Sequence, residues 1–131
     1  MVTTTPLPAE AVEWFSAPNL AYVSTIEPDG RPQLSVVWVT TSADGVLFST
    51  IKGRRKHGNL LRDPRVSILA VDPASPYRYC EIRGSAIIRD DPEGALIQEL
   101  SQRYTRAPFT DRQDAQRVIV TVRPERVFVK Q

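Results

Sequence analysis

The sequence predicts a small, mainly β protein whose strands close into an antiparallel barrel. Three observations lead there. Short runs of alternating apolar and polar residues recur along the chain, separated by turn residues. Connections such as Pro28-Asp29-Gly30 and Ser42-Ala43-Asp44-Gly45 are too short for the crossover that parallel pairing requires. Six or seven strands in 131 residues hide their edges most economically by closing on themselves.

Each element follows from local chemistry. Residues 8–16 make a short amphipathic helix with Ala11, Val12, Trp14 and Phe15 on its apolar side. Strands are expected at 20–27 and 33–41, joined as a hairpin, and at 46–51. A helix over 54–62 stops before Asp63-Pro64, because a residue preceding proline avoids the helical region. Residues 65–72 and 77–89 are the next strands, with Gly84 marking a bulge or bend in the longer one. Residues 92–105 suit a helix with Ala95, Leu96, Ile97, Leu100 and Tyr104 on its core side. An irregular stretch at 106–116 leads to two short final strands, 117–122 and 126–129.

Composition sets the limits. The length allows one domain over 1–131, and 41% apolar with 24% charged residues is ordinary for a globular chain. One cysteine, Cys80, excludes an internal disulfide and a zinc ribbon, and one histidine, His57, excludes paired-histidine metal sites. Cys80 reads as a small buried hydrophobe, and His57 as a surface helix residue. No apolar run is long enough to span a membrane, and residues 1–15 carry no secretory signature, so the expected compartment is the cytoplasm. Dinucleotide and P-loop phosphate fingerprints, a nucleophile elbow and an evident carboxylate pair are all missing.

Charge is concentrated in one place. Residues 52–65 hold six cations against Asp63, while the rest of the chain carries eleven against fourteen carboxylates. That pattern suits one anionic ligand better than a broad nucleic-acid surface, and the segment lacks the interleaved aromatics that nucleic-acid binding uses. Arg54, Arg55 and Lys56 fall in the first turn of the 54–62 helix, where cations are disfavoured unless an anion sits there. The alternative is a solvated charged turn. On the second strand Leu34, Val36 and Trp38 share one face, while Gln33 and Ser35 begin the other as polar groups. They suit either hydrogen bonding to a planar heterocycle or an ordinary strand end. Tyr77 and Tyr79 share a face with Glu81 and Arg83, suited to ring stacking or to core or interface packing. An anion patch without catalytic apparatus fits a protein whose chemistry belongs to a bound cofactor.

The segments DGRPQLSVVWV, VLFSTIKGRRKHGNLLRDPRVSILAVD and YRYCEIRGSAIIRDD together resemble the pyridoxamine 5′-phosphate oxidase-like split β-barrel superfamily. The likeness runs from about Leu20 to Asp91, and its most specific element is K-x-x-N-L-x-x-D-P, Lys56 to Pro64 with Asn59 inside it. The closer resemblance is to the deazaflavin branch that uses coenzyme F-420, with FMN as the alternative cofactor. It implies a six-stranded antiparallel split barrel of the FMN-binding type, and a homodimer with cofactor sites at the subunit interface. It also implies a phosphate held by Arg54, Arg55 and Lys56 and lined by Ser49 and Thr50. Pro32, Gln33, Leu34, Ser35 and Val36 would run along the ring, and Asn59 belongs to the same cofactor set. Tyr77 and Tyr79 would come from the other subunit. The implied activity is hydride transfer from reduced coenzyme F-420 to an electron-poor small molecule. The alternatives are an FMN-dependent flavin reductase or oxidase, and a non-catalytic flavin- or haem-binding module.

Overall fold

Seven strands, every pair antiparallel, form the single sheet of residues 5–131, the part of the chain described by the computed structural model. They are β1 (Ala21–Ile26), β2 (Pro32–Val37), β3 (Thr40–Ser42), β4 (Gly45–Ile51), β5 (Arg65–Asp72), β6 (Ser75–Asp90) and β7 (Arg117–Lys130). The helices are α1 (Ala9–Trp14), α2 (Arg55–Arg62) and α3 (Ala95–Thr105). None of them is long and apolar enough to cross a membrane.

The sheet order is β2-β1-β5-β6-β7-β4-β3. Its two outermost strands are consecutive in sequence, with only Trp38 and Val39 between them. Three Cα steps reach about 11 Å at most, so the sheet must curl until its edges approach each other. The result is a split barrel whose ladder stays open at the seam. The strand expected over 33–41 is therefore two strands on opposite edges. At the break, the Val39 N–H leaves the ladder and donates to the Tyr104 hydroxyl at 3.0 Å. That hydroxyl also lies 2.6 Å from the Asn19 carbonyl oxygen, so α3 ties down both sides of the crossing.

Inside the curl lies the main core, built on Trp14, Phe15, Val23, Phe48, Ile68, Ile82, Val118 and Val120, all essentially inaccessible. Cys80 sits among them, fully buried, and burial pushes its thiol up to about 11. A second, smaller cluster lies on the outside of β4 and β7, where Leu96 and Leu100 of α3 cover Leu47 and Ile119, and Trp38 and Tyr104 pack at its rim.

The final two strands expected from sequence are one continuous β7, which passes Pro124 by means of a bulge. Arg83 pairs with Arg126 and Gly84 with Pro124, which leaves Glu125 as the extra residue. Gly84 is required there by close approach: a Cβ would stand 1.9 Å from the Arg123 carbonyl oxygen. Gly84→Ala should cost about 1–3 kcal/mol of stability, the usual range for overpacking against backbone. Urea denaturation checks this, and a wild-type midpoint would contradict it.

Candidate functional site

β4 ends at Ile51, and α2 begins four residues later. Gly53 makes the turn at φ +95°, a conformation that suits glycine, and its N–H donates to His57 Nδ1 at 3.2 Å. His57 is 8% exposed, so it braces this turn from inside and is not the surface residue expected from its helix. α2 then crosses the seam. Asn59 Nδ2 donates to Thr25 Oγ1 at 3.0 Å, Thr25 Oγ1 donates to Gln33 Oε1 at 2.9 Å, and Arg62 reaches the Ile26 carbonyl. One buried hydrogen-bond chain thus links α2, β1 and β2.

The basic residues of this segment do not act together. Arg54 is extended (φ −68°, ψ 157°) and only then does the helix start, so Arg54 and Lys56 project to the same side. Arg55 turns the other way and pairs with Glu27 at 3.0 Å. Lys52 pairs with Asp90 at 3.0 Å. Among the described residues, Arg54 and Lys56 have no carboxylate within ion-pair distance.

Arg54 and Lys56 open onto a cavity of about 210 Å³. Ser49 and Arg117, the first residue of β7, add polar groups to its lining. Val36, Val37, Trp38, Ile97, Leu100 and Phe109 supply the apolar part. Trp38 stacks on Tyr104 (centroids 5.3 Å apart, planes 13°) and meets Phe109 edge-on at 6.2 Å. Phe109 in turn lies 5.2 Å beneath the Arg117 guanidinium. Gln98 holds Phe109 by both backbone groups, at 2.7 and 3.0 Å. Cations and aromatic rings therefore share one concavity.

The other expected site residues fall in four places. Ser35 and Thr50 turn inward, and Ser35 Oγ and Thr50 Oγ1 are buried without a hydrogen-bond partner. Thr50 faces the main core opposite Val118, so only its neighbour Ser49 reaches the cavity. Gln33 and Asn59 are engaged in the α2–β1–β2 chain. Pro32, beside Gln33, lies at a surface depression with Glu27 and Arg55. Leu34 and Val36 point outward, 71% and 55% exposed, on the same outer surface as Tyr77 and Tyr79 of β6. Sequence reasoning missed Arg117, Phe109 and Trp38 as site residues. Arg117 reaches Ser49 only because β7 pairs with β4, which sets Arg117 opposite Ile51.

Lys56 shows the strain of the arrangement. Burial first, then the charges of Arg54 and Arg117, lowers its pKa from the ordinary lysine value. Asp111 is held below the usual carboxylate range by its hydrogen bonds to Arg117.

Three comparisons place this geometry among known proteins. Residues 7–131 match the family profile described as pyridoxamine 5′-phosphate oxidase. A biliverdin reductase dependent on reduced coenzyme F-420, from Mycobacterium tuberculosis, is 29% identical over 128 residues, which are 96% of this chain and 90% of that protein. A solved structure of a coenzyme F-420 reductase superimposes with TM-score 0.82 at 34% identity, covering 93% of this chain and 98% of its own. A conserved hypothetical protein of Mycobacterium tuberculosis superimposes with TM-score 0.71 at 28% identity, covering 97% and 87%.

For any anion that binds beside Lys56, the lowered Lys56 pKa sets the pH dependence of its affinity. Affinity should fall as pH rises through that value, at lower pH than an ordinary lysine would allow. A bound anion pulls the pKa back up, so binding in this window takes up protons. Calorimetry in buffers of different ionisation enthalpy reads the uptake, and Lys56→Arg, which stays charged, should abolish it.

Proposed function

The chain belongs to the pyridoxamine 5′-phosphate oxidase family, and on that basis we propose that it is an oxidoreductase that binds reduced coenzyme F-420 and passes a hydride to an electron-poor organic acceptor. The single observation that carries this reading is the cavity that joins unpaired cations to an aromatic and apolar wall. A planar heterocycle with an anionic tail has the same two-part character. The relatives that depend on coenzyme F-420 favour the deazaflavin over FMN.

Hydride donation is the chemistry the coenzyme supplies when bound. The protein's part is binding, orientation and exclusion of water. Arg54 and Lys56 neutralise and fix the phosphate tail, with the uncapped N–H groups that open α2 beside them. The end of β2 and Trp38 make a wall for the ring, and Trp38 is kept in plane by its stack on Tyr104. Arg55 is committed to Glu27, so it stands apart from Arg54 and Lys56 and is not part of the anchor.

A homodimer completes the site in this reading. The cavity is smaller than the ~300 Å³ at which ligand pockets begin, which leaves a wall to be supplied. The outer sheet face supplies a mating surface. Val36, Tyr22, Leu69, Glu81 and Phe128 stand directly opposite one another in a row across five strands. Leu34, Tyr22, Val36 and Phe128 on it are between 46% and 71% exposed. A groove of about 680 Å³ lies over Tyr79, Glu81, Arg83 and Phe128 on this same face. Contiguous exposed apolar surface of this kind marks an interface. Tyr77 and Tyr79 then approach the other protomer's cavity.

Parallel fluorescence titrations of the purified protein with coenzyme F-420 and FMN test the cofactor, and loss of reduced-coenzyme absorbance on adding an acceptor tests catalysis. Biliverdin is the first acceptor to try. Preferential deazaflavin binding is expected, with Arg54→Ala and Lys56→Ala each weakening it about tenfold or more and salt shrinking the difference. Preferential FMN binding would move the protein to flavin chemistry. Binding without turnover across an acceptor screen would leave a binding module. Sedimentation should report a dimer that Phe128→Glu dissociates, and a monomeric wild-type protein would remove the interface.

A further inference from the structure

The cavity has a third cation that is held differently from the other two. Arg117 is only 5% exposed, yet it lines the cavity. Its Nε and Nη2 donate to Asp111 at 2.8 and 3.2 Å. Its ring neighbour Phe109 lies beneath it, and its backbone carbonyl accepts the Asp91 N–H at 2.9 Å. The guanidinium is therefore fixed in plane and position. Its remaining nitrogen, Nη1, finds only Ser49 Oγ, at 3.5 Å, the limit of a hydrogen bond.

We propose that Arg117 is the third anion-holding residue of this site, and that Asp111 is the positioning residue that presents it. An anion oxygen placed between Nη1 and Ser49 Oγ satisfies both, in the cavity that Arg54 and Lys56 also line. The four charged groups sum to two positive charges, so the site favours an anion. A buried donor without a close acceptor and a half-buried lysine among like charges are both relieved by one anion. In the coenzyme-binding reading, on which this rests for the ligand's identity, the anion is the phosphate of the coenzyme tail.

The competing explanation is a purely structural ion pair that buckles the 106–116 loop onto β7. The two differ in the sign of one substitution. If Asp111 acts only through its charge, Asp111→Asn removes a negative charge beside the site and tightens anion binding. If Asp111 positions Arg117, the same change frees the guanidinium and weakens binding, because a pre-organised fork loses less on engagement than a mobile one.

The experiment uses the full chain with Asp111→Asn, Arg117→Lys and Ser49→Ala. Inorganic pyrophosphate is titrated by thermal shift, and coenzyme F-420 and FMN by fluorescence, with the Tm of each ligand-free variant recorded alongside. Pyrophosphate should raise the wild-type Tm and compete with the coenzyme. Arg117→Lys should weaken both ligands about tenfold or more, and Ser49→Ala about three- to tenfold, the worth of a charge-assisted and a neutral hydrogen bond. Asp111→Asn should weaken both as well. Tightening by Asp111→Asn, or wild-type affinity in Arg117→Lys, overturns the proposal. Should Arg117→Lys fail to fold, Ser49→Ala decides, since wild-type affinity there is equally fatal. Protection by pyrophosphate that Arg117→Lys abolishes, without binding of either coenzyme, sustains the anion site and removes the coenzyme reading. Indifference of the wild-type protein to all three ligands overturns both.

Discussion

The crossing from β2 to β3 constrains everything else in this molecule. Two residues, Trp38 and Val39, must carry the chain from one edge of a seven-stranded sheet to the other. The sheet can meet that demand only by curling, and the curl encloses the core. It also removes the Val39 N–H from any ladder, and the Tyr104 hydroxyl accepts it. A backbone donor left buried without that acceptor would cost about 1–3 kcal/mol. The same crossing sets Trp38 against Tyr104 at the rim of the second cluster, facing the cavity. Closure of the barrel and one wall of the site therefore come from a single local event.

Electrostatics does the sorting around that wall. Consecutive cations on a helix cannot converge, because each step rotates the side chain by about 100°. Arg55 finds Glu27 and Lys52 finds Asp90, both at 3.0 Å. The extended backbone at Arg54 lets Arg54 and Lys56 escape that rotation and face the same way. A net basic segment is thereby divided into neutralised surface pairs and a small set of charges held without carboxylates. Lys56 feels that set as well: burial first, and then the charges of Arg54 and Arg117, lower its pKa.

Much of the site was legible along the chain because its determinants are local. Gly53 after a strand, Asp63-Pro64 after a helix and the run of cations between them define α2 to within a residue at each end. The bulge at Gly84 was readable for the same reason, and its partner Pro124 was the strand-breaking residue that made one β7 look like two strands. His57 was misplaced on the surface because nothing in its spacing announces a hydrogen bond to Gly53. Thr50 was grouped with Ser49 although adjacent strand residues face opposite sides, and the side that mattered depended on which face of β4 the barrel encloses.

By itself, then, the sequence determined the three helices, the antiparallel pairing and most strand positions, though neither the break within 33–41 nor the continuity of β7, and it singled out the basic turn as the place to look for an anion. All of these rest on alternation, turn chemistry and charge within a few residues of one another. Tertiary structure alone decided that β2 and β3 lie at opposite edges. It decided that Arg117, sixty-one positions after Lys56, closes the same cavity, and that Arg55 does not belong to it. Those outcomes depend on which strands pair and how far the sheet curls, and pairing is settled by the summed burial of the whole core, to which no short stretch of sequence holds the key.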